Sequence, residues 1–395
     1  MLEPSALSYR RPLFAAALAL GLGLAAPADA TWSIVAVDSE TQEVAISSAT
    51  CVTGIDLAAL SPAIIVGRGA GAAQSFVDGS GQRRQIMADG FLNGTAASTI
   101  MDQLIAVSGS ANHQNGIATA LGEAATFSGG STFAHSSGLT GSLGTLHYAI
   151  QGNILTGRPV VEMAEAALRD TPGDLPAKVM AAMEAARLMG GDGRCSCPAS
   201  ITGCGSPPPS FTKTADVGYF IITRYGDTDD TACNASGCAD GDYFLTLNVA
   251  NASSGDPDAV FQLRDQFDIE RTALEGRPDA IASDVEYRFD AAPVMRIQLR
   301  DWRGLAATAP ITSVTAAHAP GSAGVASIGA AVDVGGGVYE IELAGAVEAD
   351  RFEVTVDDGV RPVVLPPART AGPTALVFQD GFESGDAGAW GATVP

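Results

Sequence analysis

Lysine is almost missing from this chain. Of 395 residues, 22 are basic, and only Lys178 and Lys213 among them are lysines. A reaction that needs a lysine therefore has two candidates, and neither lies in the N-terminal 177 residues. Positive charge is scarce altogether: 44 acidic residues leave a net charge of −22. That field repels phosphate backbones and anionic lipid, so nucleic acid and anionic membrane surfaces are not expected partners. It suits a soluble protein with a neutral or cationic ligand. Aromatics are few, at 6%.

Familiar catalytic signatures are missing as well. There is no GxxxxGK, no HExxH and no GxSxG. The four histidines, His113, His135, His147 and His318, lack metal-ligand spacing. Gly67-Arg68-Gly69 with Ala72 imitates a dinucleotide fingerprint, which needs a helix to open next. Ala73 to Val77 reads as extended instead, so a glycine-rich strand turn is expected. Asp227, Asp229, Asp230, Asp240 and Asp242 form an acidic loop. Clustered carboxylates suit Ca²⁺, but the EF-hand spacing is absent and a solvated loop is the plainer reading. No cofactor and no metal are expected.

What is present suffices for folded cores. Hydrophobic residues make up 46%, which excludes general disorder. The length suggests two domains. Gly and Pro together number 67, favouring short elements and many turns.

Residues 1–30 read as a secretory signal peptide. Arg10 and Arg11 form the positive region, Leu13 to Ala26 the apolar run, and Ala28-Asp29-Ala30 the cleavage site. Ser8-Tyr9-Arg10-Arg11 hints at twin-arginine export, with Sec export the default. The apolar run is about 14 residues, short for a bilayer span, and a retained anchor is the alternative. No other stretch reaches 18 apolar residues, so no membrane span is expected. A secreted or periplasmic location follows. Six cysteines, Cys51, Cys195, Cys197, Cys204, Cys233 and Cys238, then read as disulfides. Fifteen pairings are open. Cys233 and Cys238 could clip one loop, and a metal site from Cys195, Cys197 and Cys204 is the rival reading.

Along the chain, Trp32–Val37 and Glu43–Ser48 read as a β-hairpin. Pro62–Val66 is a short strand, and Ala72–Phe76 could be the next. Residues 83–107 carry helical spacing, broken at Asn93-Gly94. His147–Ile150 reads as a strand and Val160–Arg169 as a helix. Asp174 caps a helix with Pro176 in its first turn, ending at Gly190-Gly191. Cys195–Ser210 is a loop. Val217–Thr223 and Tyr243–Val249 are strands around an acidic excursion at 226–242, and Asp258–Phe267 is a short helix. This order predicts an α+β fold with antiparallel sheets. After about residue 275 the pattern becomes short alternating strands: Val285, Tyr287, Phe289; Met295, Ile297, Leu299; Val338, Tyr339, Ile341, Leu343; Phe352, Val354, Val356. That reads as an immunoglobulin-like β-sandwich over 278–366. Residues 367–395 form a linker and an aromatic, acidic C-terminal tag.

The chemistry centres on Thr31. Cleavage after Ala30 would expose a free α-amine beside its hydroxyl. An N-terminal threonine can be nucleophile and base together, because an α-amine titrates near pH 8 and takes the hydroxyl proton. Thr31-Trp32-Ser33-Ile34-Val35-Ala36-Val37-Asp38, the second strand and Gly69 to Gln74 together resemble a bacterial domain family. That family has no established activity and is assigned to the N-terminal-nucleophile (Ntn) hydrolase superfamily. The resemblance continues through Tyr148-Ala149-Ile150-Gln151-Gly152-Asn153-Ile154-Leu155, Gly190 to Arg194, and Asp242-Tyr243 to Phe267. It spans roughly residues 31–270, giving an Ntn-like domain over 31–272.

The resemblance implies a four-layer αββα sandwich and amide hydrolysis. Thr31 would be the nucleophile. Gln74, Gln151 and Asn153 would supply oxyanion donors, and Asp192 with Arg194 would pair at a helix C-terminus and shape the pocket. The plainer readings are a buried hydrogen-bonded turn for Gln151 and Asn153 and a structural ion pair for Asp192 and Arg194. Extra cysteines and prolines after Arg194, and Asn251-Ala252-Ser253-Ser254-Gly255 where relatives carry an Asp-Asp-His-like stretch, depart from the family pattern. The substrate would be a small amide or peptide. The competing reading is a non-catalytic binding or surface-display protein, with cell-surface association through the C-terminal region.

Overall fold

The computed structural model describes residues 31–366 apart from 77, 230–232, 235, 289–292 and 348. The expected leader, linker and tag, and Asp230 and Phe289, lie outside the described residues.

The chain starts with an antiparallel hairpin, β1 (Thr31–Asp38) and β2 (Val44–Thr50). One helical turn, α1 (Leu57–Leu60), leads to β3 (Pro62–Ile65) and β4 (Gly69–Gln74). Two helices follow, α2 (Gln82–Leu92) and α3 (Ala97–Ala106). Four strands come next: β5 (Gln114–Thr119), β6 (Glu123–Ser128), β7 (Ser137–Leu143) and β8 (Leu146–Asn153). Then come α4 (Pro159–Asp170), α5 (Leu175–Leu188) and the short α6 (Gly193–Ser196). The first part closes with β9 (Val217–Thr223), the two-residue strands β10 (Thr228–Asp229) and β11 (Gly241–Asp242), β12 (Leu245–Val249) and α7 (Ala259–Ala273).

Local chemistry explains these boundaries. The Asp174 carboxylate accepts the Ala177 N–H to start α5, and Asp258 accepts the Val260 N–H to start α7. Proline opens α4, where its missing N–H costs nothing. In β1 the period of two sends Trp32, Ile34 and Ala36 to one face and Val35 and Val37 to the other.

Both faces are used. A six-stranded sheet runs β12-β9-β2-β1-β8-β7, and a four-stranded sheet runs β3-β4-β5-β6, all antiparallel. Trp32, Ile34 and Ala36 pack against Val161 and Ala164 of α4, Val179 and Met183 of α5, and Leu263 of α7. On the other face, Val35, Val37, Val44 and Ile46 meet Ile64, Ala70, Ala72 and Ala118 of the smaller sheet. That sheet turns Ala73 and Ile117 toward Met87 and Phe91 of α2 and Ile100 and Leu104 of α3.

The C-terminal part is β-rich: β13 (Asp284–Arg288), β14 (Val294–Gln298), β15 (Ser313–His318), β16 (Ser327–Gly335), β17 (Val338–Ala344), β18 (Phe352–Asp357) and β19 (Pro362–Leu365). Two antiparallel sheets, β13-β14-β17-β16 and β15-β18-β19, share a core of Met295, Ile297, Ile341, Leu343, Phe352, Val354 and Val356. It docks on the first part through charge. Buried Arg224 bonds Glu43 at 2.7 Å and Asp279 at 2.6 Å, and Arg361 reaches Asp227 at 2.9 Å. Burial pushes the Glu43 carboxyl up to about 7, against the pull of Arg224. Arg224 and the N–H groups of Ala282 and Ile281 outweigh burial at Asp279 and hold it below the usual range.

Several sequence readings shift. The second strand of the β3–β4 pair begins at Gly69 rather than Ala72 and stops at Gln74, because Ser75 takes a positive φ of 80°. The strand after the acidic excursion starts at Leu245, since the Phe244 N–H turns to Asp227. The helix capped by Asp258 runs to Ala273, beyond Phe267.

Candidate active site

The space between the two sheets is apolar at one end and polar at the other. Moving along β1 toward its start, Val37 and Val35 give way to Ser33 and Thr31 on the same face. Direct partners follow the change. Ser33 lies opposite Ser48 and Gln151, and Thr31 opposite Thr50 and Asn153. The smaller sheet contributes Gln74 and Gln114, paired with each other across β4 and β5. Every one of these side chains is buried. Burial of that many polar groups is tolerable only when they are hydrogen-bonded.

Hydrogen bonds satisfy them. The Asn153 Oδ1 accepts the Thr31 main-chain N–H at 3.2 Å. Gln74 Nε2 donates to the Thr31 carbonyl at 2.9 Å and to Gln114 Oε1 at 2.7 Å, while Gln74 Oε1 accepts from the Ser33 hydroxyl at 2.6 Å. Gln114 Nε2 then donates to the Gly152 carbonyl and to Ser128 Oγ. Gln151 Oε1 accepts from Thr126 at 2.7 Å, and Asn153 Nδ2 donates to Ser75 Oγ at 3.3 Å. Gly116 makes the close approach possible, since a Cβ there would collide with the Gln151 amide.

Arg194 and Asp192 join from the next layer. Arg194 Nη2 donates to Thr50 Oγ1 at 3.1 Å and to Asp192 Oδ2 at 2.8 Å. The fully buried Asp192 carboxylate also accepts the Cys51 N–H at 2.7 Å and the Arg194 N–H at 2.9 Å. Burial pushes the Asp192 carboxyl up, and Arg194 with these N–H groups pulls the other way. The disulfide Cys51–Cys195 ties the end of β2 to α6, so it fastens Asp192 and Arg194 beside Thr50. The expected placement of this pair at a helix C-terminus is corrected: α5 ends at Leu188, and Asp192 is the N-cap of α6. Gly191 makes the tight link between them, at φ 50° and against the Trp32 ring.

All six residues singled out from the sequence, Thr31, Gln74, Gln151, Asn153, Asp192 and Arg194, therefore meet around one polar end. The sequence reading missed Gln114, which bridges both sheets, and Thr50, the ladder partner of Thr31, which accepts a hydrogen bond from Arg194. Neither carried a sequence signal, since both stand in strands with other polar residues beside them. It also missed backbone strain. Ser75 and Ile154, next to Gln74 and Asn153, both take positive φ, at 80° and 49°. A β-branched residue there is a true outlier, and such strain gathers at functional sites.

The cysteines take three disulfides, 51–195, 197–204 and 233–238. The rival metal reading of Cys195, Cys197 and Cys204 is thereby split between two bonds. Ligand atoms of Cys51, Cys195 and Asp216 lie within 4.8 Å of one another, but the two sulfurs are bonded to each other and are not thiolate ligands. In the acidic loop, Asp227 accepts main-chain N–H groups of Arg224 and Phe244, and Asp229 those of Val66 with the Tyr243 hydroxyl. After Gly67-Arg68-Gly69 the chain continues as β4, so no helix N-terminus stands at the imitated fingerprint. Among the described residues no helix is long and apolar enough to cross a membrane.

No curated protein matches the chain. Among solved structures it is similar to protein SPO2555 from Silicibacter pomeroyi, of the DUF1028 family model, with a TM-score of 0.45 and 16% identity, covering 61% of this chain and 85% of that one. Residues 31–208 match the model of a family of unknown function, DUF1028.

Proposed function

We propose that this chain is an exported bacterial amidohydrolase of the Ntn type, secreted or periplasmic, with Thr31 as its nucleophile. One observation carries the reading: Thr31 is the first residue of a central strand and sits at the polar end between two sheets. The packing of α4, α5 and α7 on one sheet and of α2 with α3 on the other supports reading the fold as an αββα sandwich. Three disulfides suit an oxidising compartment.

The chemistry requires the Ala30–Thr31 bond to be cut. The freed α-amine then lies where Asn153 Oδ1 already accepts from the Thr31 nitrogen. The amine takes the Thr31 hydroxyl proton, directly or through one water, as the oxygen attacks the substrate carbonyl carbon. An amide donor of Gln151 or Asn153 meets the oxyanion, while Gln74, whose two Nε2 hydrogens go to the Thr31 carbonyl and to Gln114, holds the Thr31 main chain. Collapse breaks the C–N bond, and the amine's proton passes to the leaving nitrogen. Water then cleaves the Thr31 ester and regenerates the hydroxyl. Asp192 and Arg194 are positioning residues that hold Thr50 against Thr31.

A β-lactone probe tests this on exported protein. Ring opening should add the probe's mass to Thr31, and Thr31→Ala should lose the label and any hydrolysis of acyl p-nitroanilides. A Thr31 that stays unlabelled, or a Thr31→Ala variant as active as wild type, contradicts the proposal.

A further inference from the structure

At the end of the sheets remote from Thr31 lies a cleft of about 780 Å³ between the first part and the C-terminal β region. Ligand sites run roughly 300–1,000 Å³ and favour such junctions. We propose that it binds an amino acid or short peptide with free ends and an apolar side chain, independently of the Thr31 chemistry.

The walls carry the three features such a ligand requires. Arg68 stands on the β3–β4 turn, exposed, with its main chain fixed by the Ile65 carbonyl and the Ala120 N–H. Among the described residues its guanidinium makes no ion pair or hydrogen bond, so its fork is available to a carboxylate. Glu353, from β18, lies on the C-terminal side. Its carboxylate accepts one hydrogen bond, from the Tyr225 hydroxyl at 2.6 Å, and has capacity for an ammonium. Two other acids face the cleft and are less available. Asp227 is bonded to Arg361 and two main-chain N–H groups, and Asp229 to Val66 and Tyr243. Leu92 and Leu121 are each 57% exposed beside Phe91, an apolar floor between the charges. A ligand with one charge would leave Arg68 or Glu353 desolvated without a partner; a zwitterion satisfies both.

Calorimetric titration of the Thr31→Ala protein with leucine, Leu-Leu and Leu-Leu-Leu tests this without turnover. At least one should bind saturably, and N-acetylating or C-amidating it should each weaken binding about tenfold or more. Arg68→Gln should weaken the free peptide and make binding indifferent to amidation. Glu353→Gln should do the same for acetylation. Both side chains are accessible, and an unchanged melting temperature would show that the variants fold. Absence of saturable binding by all three ligands, or capping penalties that survive both substitutions, overturns the proposal. Neither result bears on labelling of Thr31.

Discussion

Thr31 and Asn153 face each other across the β1–β8 ladder, and the Asn153 side-chain oxygen accepts the Thr31 nitrogen's hydrogen at 3.2 Å. A neutral amide in that place orients the future amine without charging it. Asn153→Asp would set a carboxylate there instead, which favours the ammonium form. The acid limb of kcat/KM against pH should then move up by about 1 unit. An unmoved limb would mean that the Thr31 amine is not the base.

Gly116 is a second point of strict geometry. A methyl group there runs into the Gln151 amide, which is buried and bonded to Thr126. Gly116→Ala should cost about 1–3 kcal/mol, the usual range for overpacking. Chemical denaturation measures it, and a neutral result would show that Gln151 can move aside.

What the sequence made legible was whatever repeats or caps. The alternation of β1 and the cap at Asp174 were read where they stand. Lone residues were not. Gln114 looks like any polar start of a strand until β4 and β8 close around it. Positive φ at Ser75 and Ile154 leaves no compositional mark. Four-residue α6 is too short for helical periodicity, so Asp192 read as following a helix rather than beginning one.

Buried Glu43 gives stability a pH dependence. Its carboxyl is pushed from 4.5 up to about 7, so the folded state holds a proton that the unfolded chain releases earlier. That contribution is complete below about 4.5 and is lost as pH rises through about 7. The stability of wild type minus that of Glu43→Gln should therefore fall across this window and level off above it. A flat difference would mean that Glu43 is ionised throughout beside Arg224.

The disulfides should differ in weight. Cys51–Cys195 spans 144 residues and Cys197–Cys204 spans 7. Loop-closure entropy assigns them about 5 and about 2 kcal/mol. Paired serine substitutions compared by denaturation check the order. Only loss of the longer bond should also lower Thr31 labelling, because it alone holds Asp192 and Arg194.

The most direct measurement is the N-terminal sequence and intact mass of the exported protein. A chain that starts at Thr31 with an unmodified amine is the expected result. A start at another residue, or a blocked amine, would remove the base from the site and contradict catalysis by Thr31.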